Sequence, residues 1–259
     1  MSDPQAKPER PIHELTVART ERLTSSMIRV VFTSEAVASF PDSAVPGIGF
    51  TDTYVKLRFG EALRAYTLRA VDRAARELTI DFVVHGDSGL AGPWAAAARP
   101  GDVLTCLHPG GEWAPRASAD AHVLVGDEAA LPAIGASLDA LLAARPDARA
   151  LVFAEVESRG QEYPLAAGPG VDVRWVFRDG APYGETLTAA VLDTPWPGGD
   201  VEAFVHGNAD MVRPVRRHVL RTVGLSRDQL SVSGYWRAGH TDESWRAGKR
   251  EFNALMEEE

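Results

Sequence analysis

The first half of the chain carries apolar residues in the short, alternating runs that are typical of β-strands. Turn sequences such as KLRFG, AVDRAARE and RPGD separate these runs, and a short Ala-rich stretch at 93–98 is the one helix expected among them. Because the strands follow one another without long helices, the pattern predicts a six-stranded antiparallel β-barrel. The predicted strands cover residues 12–23, 27–33, 54–59, 65–71, 77–85 and 103–107.

The pattern changes near residues 115–120, after which apolar strands alternate with helical segments. HVLVGD precedes ALPAIGASLDALLAA, VDVRWVFR precedes ETLTAAVLD, and EAFVHG precedes ADMVRPVRRHVLRTVG, while ARALVFAEV and QLSVSGYW read as further strands. This order predicts a Rossmann-like parallel α/β sheet, in which ligands lie at the carboxyl ends of the strands. The ending ESWRAGKREFNALMEEE predicts a charged amphipathic helix.

These patterns divide the chain into three parts. Residues 1–11 are polar and Pro-rich and are expected to be a disordered lead-in. Residues 12–117 form the predicted barrel domain, and residues 118–259 form the predicted α/β domain with its C-terminal helix.

The composition narrows the function classes. A net charge of −9 argues against a general nucleic-acid binder, because phosphate contacts dominate that affinity. No apolar run approaches the roughly 20 residues of a membrane helix, and the N-terminus lacks the apolar segment of a signal peptide, so a cytoplasmic protein is expected. Cys106 is the single cysteine, and CxxC, HExxH and EF-hand patterns are absent, so no protein metal site is expected.

The stretch RAYTLRAV, residues 64–71, suits a planar cofactor with a phosphate tail. On a strand, Arg64, Tyr66 and Leu68 share one face, and Thr67 lies on the other. Tyr66 can stack on a flavin ring, Thr67 can hydrogen-bond at the ring edge, and Arg64 can bind phosphate. The same residues also fit an ordinary half-buried strand with an exposed arginine.

The stretch DFVVHGDSGLAGPW, residues 81–94, is an apolar strand that ends in a glycine-rich turn before the short helix. Backbone amides that glycines leave accessible, followed by a helix N-terminus, suit a pyrophosphate. A hairpin exit followed by a capped helix is the simpler interpretation. The two stretches together, in this order, favour a cofactor.

The chain resembles the siderophore-interacting protein family, the ferric-siderophore reductases within the ferredoxin-reductase-like flavoenzymes. The resemblance rests on RAYTLR, DFVVHGDSG with PWAAAARPGD, GDEAALPAI and the ending SVSGYWRAG, which occur in the family's order. It implies a FAD-binding barrel, a pyridine-nucleotide-binding domain and reduction of ferric siderophores with electrons from NAD(P)H. A ferredoxin-type donor is the alternative electron source.

The resemblance also implies the site residues. The implied cofactor-binding residues are Arg64, Tyr66, Thr67, Leu68, Asp81, Val83, His85, Gly86, Gly89, Ala91, Gly92, Trp94, Asp127 and Trp236, with Tyr66 and Thr67 as the catalytic pair. The implied substrate-binding residues are Lys56, Arg237, Arg246 and Lys249.

The sequence departs from the family pattern at three positions. Gly92 stands where the family has a serine, Ala129 where its GDE motif continues with threonine, and Asn208 in HGNAD where it has a Gly-Glu pair. These departures bear more on the nicotinamide side than on the flavin.

Other interpretations remain open at this point. One is a flavin reductase that serves a protein acceptor, and another is a siderophore-binding protein without enzymatic activity. The sequence does not distinguish NADH from NADPH, and the oligomeric state stays open. An arginine stripe is either a solvated helix face or an anion site; it comprises Arg213, Arg216, Arg217 and Arg221. No GxSxG elbow supports a hydrolase.

Overall fold

A computed structural model describes residues 11–84 and 89–257. Within these ranges the N-terminal half is an antiparallel sheet with the strand order β4-β3-β7-β1-β2-β6-β5. Its strands are β1 (Ile12–Arg22), β2 (Met27–Thr33), β3 (Tyr54–Phe59), β4 (Ala62–Thr67), β5 (Ala70–Asp72), β6 (Glu77–Val83) and β7 (Val103–Gly110). The predicted lead-in lies outside the described ranges except for Pro11.

The chain between β4 and β5 closes this sheet on itself. The Leu68 amide donates to the Thr53 carbonyl at 2.7 Å, and the Arg69 amide donates to the Thr79 carbonyl at 2.8 Å. One residue therefore bonds toward β3 and the next toward β6, so the chain changes partner between them. The sequence predicted a single strand at 65–71; the described part of the barrel instead has seven strands, because that segment is divided at this change of partner.

Alternation along β2 and β6 builds the barrel core. In the register of these strands, Phe32 lies opposite Leu78 and Val30 opposite Ile80, and all four side chains are fully buried. The short helix α1 (Ala91–Ala97) covers this core, and its Trp94 ring lies nearly parallel to the ring of Phe32 at 6.1 Å. The packing explains why the apolar residues of the first half recur at every second position.

The second half is a parallel sheet with the order β10-β9-β8-β11-β12. Its strands are β8 (Ala121–Gly126), β9 (Ala150–Val156), β10 (Val171–Phe177), β11 (Val201–Asn208) and β12 (Leu230–Trp236). The helices are α2 (Leu131–Ala144), α3 (Glu185–Leu192), α4 (Ala209–His218) and α5 (Asp242–Glu257). The predicted class, an antiparallel barrel followed by a parallel α/β domain, is confirmed.

Helix α5 contacts α4 through one residue of the arginine stripe. Trp245, Phe252 and Met256 of α5 are buried. Arg216 is also buried, and its guanidinium donates to the Met256 carbonyl at 2.5 Å. The stripe is therefore not one solvated face, because Arg216 joins two helices. Across the described residues, none of the helices is long and apolar enough to span a membrane.

Candidate functional site

Strand β4 presents the RAYT residues on both of its faces. Arg64 lies opposite Leu57 and Tyr66 opposite Val55, and both of these β3 residues are fully buried. The half-buried Tyr66 ring packs against Phe82 with 4.5 Å between ring centroids. Desolvation raises the pKa of the Tyr66 hydroxyl above its usual range, so this residue stays neutral.

The half-buried Arg64 side chain is held at the start of α5. Its guanidinium lies 3.3 Å from the Asp242 carboxylate and 2.7 Å from the Glu243 carboxylate. Glu243 is 62% exposed, so this pair sits at the surface and is weak. A phosphate group can therefore replace the Glu243 carboxylate at this guanidinium at little energetic cost.

Thr67 lies on the opposite face and connects the two halves of the molecule. It is 8% exposed and stands opposite Tyr54 in the register of β3 and β4. Its side chain lies beside the Tyr235 hydroxyl on β12 and interacts with it. The motif strand of the barrel thus meets the parallel sheet near its carboxyl edge, where ligands of open α/β sheets bind.

Asp127 follows β8 at that edge, and three donors of the chain surround it. The Asn208 amide donates at 2.7 Å, the Ala129 amide at 3.0 Å and the Trp236 indole at 2.9 Å. Burial and the nearby Glu128 carboxylate raise the pKa of Asp127 to about 7. Asp127 therefore organises the ends of three strands and fixes the Trp236 ring.

Gly207 permits this close packing. Its φ is +131°, and a Cβ at this position would lie 2.8 Å from the Asp127 carboxyl group. A larger residue would be strained there and would also displace Asp127.

The rest of the carboxyl edge is a buried acidic cluster around one arginine. Arg178, just after β10, lies 2.9 Å from Glu128, 3.1 Å from Glu155 and 2.6 Å from Glu157. Arg178, Glu128 and Glu155 are all nearly inaccessible to water. The Tyr183 ring stacks on the guanidinium at 4.0 Å. Three carboxylates against one guanidinium leave this edge negative.

Basic side chains of β3 and α5 lie near the motif strand β4. Arg246 donates to the Leu63 carbonyl of β4 at 2.7 Å, and Lys249 donates to the Ser233 hydroxyl at 3.3 Å. Burial lowers the pKa of Lys249, and the neighbouring charges of Arg246 and Lys56 lower it further. Lys56, Arg246 and Lys249 are three of the four predicted substrate-binding residues. The charges of the first two act on Lys249.

The fourth residue, Arg237, points elsewhere. Its guanidinium pairs with Asp210 at 2.9 Å and lies over the Phe252 ring. Neither contact involves Lys56, Arg246 or Lys249, so these contacts do not place Arg237 in that basic group.

The remaining predicted cofactor residues fall into two sets. Asp81 is buried and bonded to Arg29 at 2.8 Å and to the Tyr163 hydroxyl at 2.5 Å, so its carboxylate serves the fold. Leu68 is fully buried and Val83 is half-buried.

The second set follows the turn. Gly89 has a φ of +81° with open space at the position of a Cβ, Ala91 and Gly92 are buried, and Trp94 is half-buried among aromatic rings. His85 and Gly86 lie outside the described residues. Their role in cofactor binding stays a prediction.

Sequence reasoning missed several residues at the junction. Tyr235 and His206 form a hydrogen bond of 3.0 Å beside Thr67, and Glu155 and Arg178 form the acidic cluster. All four lie at or near the carboxyl ends of parallel strands, and that placement was the available signal.

The chemistry of the donor set fits a flavin dinucleotide. A flavin needs an apolar aromatic surface, a hydrogen-bonding group at the ring edge and a cation for the diphosphate. Tyr66, Thr67 and Arg64 offer these on one strand, and one of the two carboxylate partners of Arg64, Glu243, is largely exposed. No group of three or more His, Cys, Asp or Glu side chains within 11–84 and 89–257 is arranged to hold a metal ion.

Comparisons with known proteins agree with this geometry. Residues 60–113 match the family model for a siderophore-interacting FAD-binding domain, and residues 119–239 match that for a siderophore-interacting protein. The crystal structure of a siderophore utilization protein from T. fusca is 33% identical, covers 90% of this chain and 95% of its own, and superposes with a TM-score of 0.78.

Two curated relatives carry descriptions of activity. Ferric vibriobactin reductase ViuB of Vibrio cholerae is 28% identical, with 95% of each chain covered. The NADPH-dependent ferric-chelate reductase of Escherichia coli is 28% identical over 87% of this chain and 92% of its own. The chain therefore belongs to the siderophore-interacting protein family, whose FAD-binding domain it carries in its N-terminal half.

Proposed function

We propose that the protein is a FAD-dependent reductase that releases iron from ferric siderophores. NAD(P)H is the proposed electron source, with a reduced ferredoxin-type protein as the alternative. The proposal extends the family's FAD-binding and ferric-reductase character to a particular donor and acceptor.

One observation carries the proposal: the RAYT strand of the barrel meets the carboxyl edge of the parallel sheet. The side-chain contact between Thr67 and Tyr235 brings the flavin-binding motif to the edge where α/β sheets bind nucleotides. A flavin reductase requires this meeting, because donor and acceptor must both reach the same ring.

The work of this chain is binding and orientation. When bound, FAD supplies the conversion of a two-electron donor into single-electron transfers. Tyr66 provides the aromatic surface, Thr67 places a hydroxyl at the ring edge, and Arg64 binds the diphosphate. Trp236, whose indole donates to Asp127, lies beside the same junction.

Reduction works as a release step because of the metal's chemistry. Siderophore oxygens are hard donors that hold Fe(III) far more tightly than Fe(II). The ferric ion is a substrate in this scheme, so the protein needs only a place for the complex near the flavin. Lys56, Arg246 and Lys249 form a basic group that suits an anionic complex.

The test is reoxidation of the reduced protein under anaerobic conditions. The FAD-loaded protein is titrated with NADH or NADPH, and a ferric hydroxamate or catecholate complex is then added together with an Fe(II) trap. We expect the oxidised flavin spectrum to return as two Fe(II) ions are trapped per flavin. Bound FAD that reduces but stays reduced in the presence of several ferric chelates would contradict the substrate assignment.

The same preparation separates the alternatives. A flavin that is reoxidised only by an electron-carrier protein indicates a reductase with a protein acceptor. A colourless protein that binds the ferric complex without FAD indicates a siderophore-binding module.

A further inference from the structure

Four polar side chains form a continuous row across the junction of the two sheets, and the last three of them are joined by hydrogen bonds. The Thr67 side chain of β4 lies beside the Tyr235 hydroxyl. The Tyr235 hydroxyl lies 3.0 Å from His206 Nδ1, and His206 Nε2 lies 2.9 Å from the Ser231 hydroxyl. The row starts at the residue expected at the flavin ring edge and ends at the half-buried Ser231 on the edge strand β12.

His206 occupies the middle of this row and stays neutral. Its ring is 3% exposed and stacks on Phe204 at 3.7 Å. Burial lowers the pKa of His206 to about 3, and the nearby Lys249 charge contributes in the same direction. A neutral imidazole has one N–H donor and one acceptor nitrogen, so its tautomer sets the direction of every bond in the row.

The two directions present different groups to a ligand at Thr67. With the hydrogen on Nε2, the ring donates to Ser231, Tyr235 donates to Nδ1, and the Tyr235 oxygen is left to accept a hydrogen from Thr67. The lone pairs of Thr67 then remain to accept a hydrogen bond. With the hydrogen on Nδ1, each bond reverses, and the Thr67 hydroxyl is left to donate.

The two hydrogen-bond directions match the proton balance of the reaction. This inference rests on the proposed function. When two Fe(III) ions each take one electron, the reduced cofactor loses two electrons and the hydrogen on its reacting ring nitrogen. That hydrogen leaves as one proton. In the reduced state the nitrogen is a donor, and in the oxidised state it is an acceptor.

We propose that Thr67, Tyr235, His206 and Ser231 are a proton relay between the cofactor's reacting nitrogen and the surface. As the N–H bond breaks, Thr67 Oγ1 accepts the proton and its own hydrogen passes to the Tyr235 oxygen. The Tyr235 hydrogen passes to His206 Nδ1, the Nε2 hydrogen passes to Ser231, and the Ser231 hydrogen passes to solvent. One proton enters and one leaves, and the relay ends in the reversed direction.

The reversed relay suits the product state, since Thr67 then donates to the nitrogen that has become an acceptor. Run backwards, the relay delivers the proton that reduction by electrons alone requires. Tyr235 and His206 act through Thr67 and touch no reacting atom, so they are relay residues.

The decisive test reads the His206 tautomer directly. Protein labelled with ¹⁵N-histidine and loaded with FAD is compared by NMR in the oxidised state and after reduction by dithionite. Protonated and unprotonated ring nitrogens have well-separated shifts. We expect the hydrogen on Nδ1 in the oxidised protein and on Nε2 in the reduced protein. The same tautomer in both states overturns the proposal.

A kinetic test uses Tyr235→Phe, which keeps the ring and removes the hydroxyl. Reoxidation of the dithionite-reduced variant by a ferric chelate should slow by roughly 10²-fold and lose its solvent deuterium isotope effect. Ser233→Ala is the matched control, because Ser233 lies on the same strand but bonds Lys249. The control should retain the isotope effect; an isotope effect equally retained in Tyr235→Phe contradicts the relay.

Two further variants keep the test decisive. If Tyr235→Phe fails to fold or to bind FAD, Ser231→Ala interrupts the relay at its half-buried outer end. Thr67→Ser keeps a hydroxyl and should preserve the isotope effect, whereas Thr67→Val should abolish it; equal behaviour of the two overturns the proposal. Failure of the proposed function looks different, because the protein then does not bind FAD or no ferric chelate reoxidises it.

Discussion

The motif face of the barrel and the carboxyl edge of the parallel sheet meet at Thr67 and Tyr235, but they satisfy their polar groups in opposite ways. On the barrel side, Arg64 pairs with the half-buried Asp242 and the largely exposed Glu243, and the charge of Lys56 helps to lower the pKa of Lys249. At the sheet edge, the carboxylates of Glu128 and Glu155 are buried around Arg178.

The difference separates two kinds of binding. The barrel side has a cation, Arg64, whose partner Glu243 is largely exposed, so an anionic ligand can replace that partner with little loss of buried contact. The sheet edge has already used its charged groups on one another, and its excess charge is negative. The proposed FAD site is therefore on the barrel side, whereas the excess negative charge of the edge disfavours tight binding of an anionic donor.

The largest expected effect comes from breaking the acidic cluster. Arg178→Met leaves Glu128 and Glu155 buried without their cation, and we expect a loss of about 3–5 kcal/mol in the free energy of unfolding. Urea unfolding of the flavin-free variant measures the loss. Arg159→Met is the control, because Arg159 is an exposed cation on the Phe177 ring and should cost about 1 kcal/mol or less. Equal losses in the two variants would contradict the claim that the buried Arg178 cluster stabilises the fold.

Asp127, at the carboxyl edge of the sheet, makes the free energy of unfolding depend on pH. Its pKa in the folded protein, about 7, lies above its unfolded value, so the folded state binds a proton that the unfolded state releases. The stability that Asp127 contributes is present at acid pH and is lost as the pH rises through 7. The difference in unfolding free energy between wild type and Asp127→Asn should fall by about 3 kcal/mol from pH 5 to pH 8. A difference that is flat over this range would show that Asp127 is ionised throughout.

On the barrel side, Tyr66→Ala should weaken FAD binding. Loss of the aromatic surface is expected to raise the dissociation constant by about tenfold or more, on the order of 1–2 kcal/mol. Fluorescence titration of the flavin-free protein with FAD measures the change. Tyr66→Phe keeps the ring and should bind nearly as wild type does. Unchanged affinity in the alanine variant would remove Tyr66 from the site.

The smallest effect concerns the basic group. Lys249→Gln should raise KM for an anionic ferric chelate severalfold, on the order of 1 kcal/mol, with a weaker salt dependence. A neutral ferric chelate serves as the internal control, because its KM should not change. Equal shifts for the two chelates would mean that Lys249 acts on the fold instead of on the charge of the substrate.

Much of the architecture was predictable because local patterns determine it. The alternation in β2 and β6 and the apolar runs of β8 and β11 follow directly from burial on one or both faces. The division of 65–71 into β4 and β5 was not predictable, since it depends on Leu68 and Arg69 bonding to different strands. Neither partner is close in sequence.

In the site, too, contacts between residues from different strands were not predictable from the sequence. RAYT was recognised because its residues are consecutive on one strand. The Arg178 cluster and the relay through His206 were missed because their members come from separate strands and meet only when the parallel sheet has formed. Asp127 was assigned to cofactor binding on resemblance, whereas its oxygens accept bonds from three donors of the chain itself.

The most direct measurement is the flavin content of the gel-filtered protein, read from its visible spectrum and by release of the bound nucleotide. The account predicts one FAD per chain, retained by wild type and lost from a variant in which Arg64 and Tyr66 are both alanine. A colourless wild-type protein that also fails to take up added FAD would contradict the claim that the motif face holds a resident cofactor.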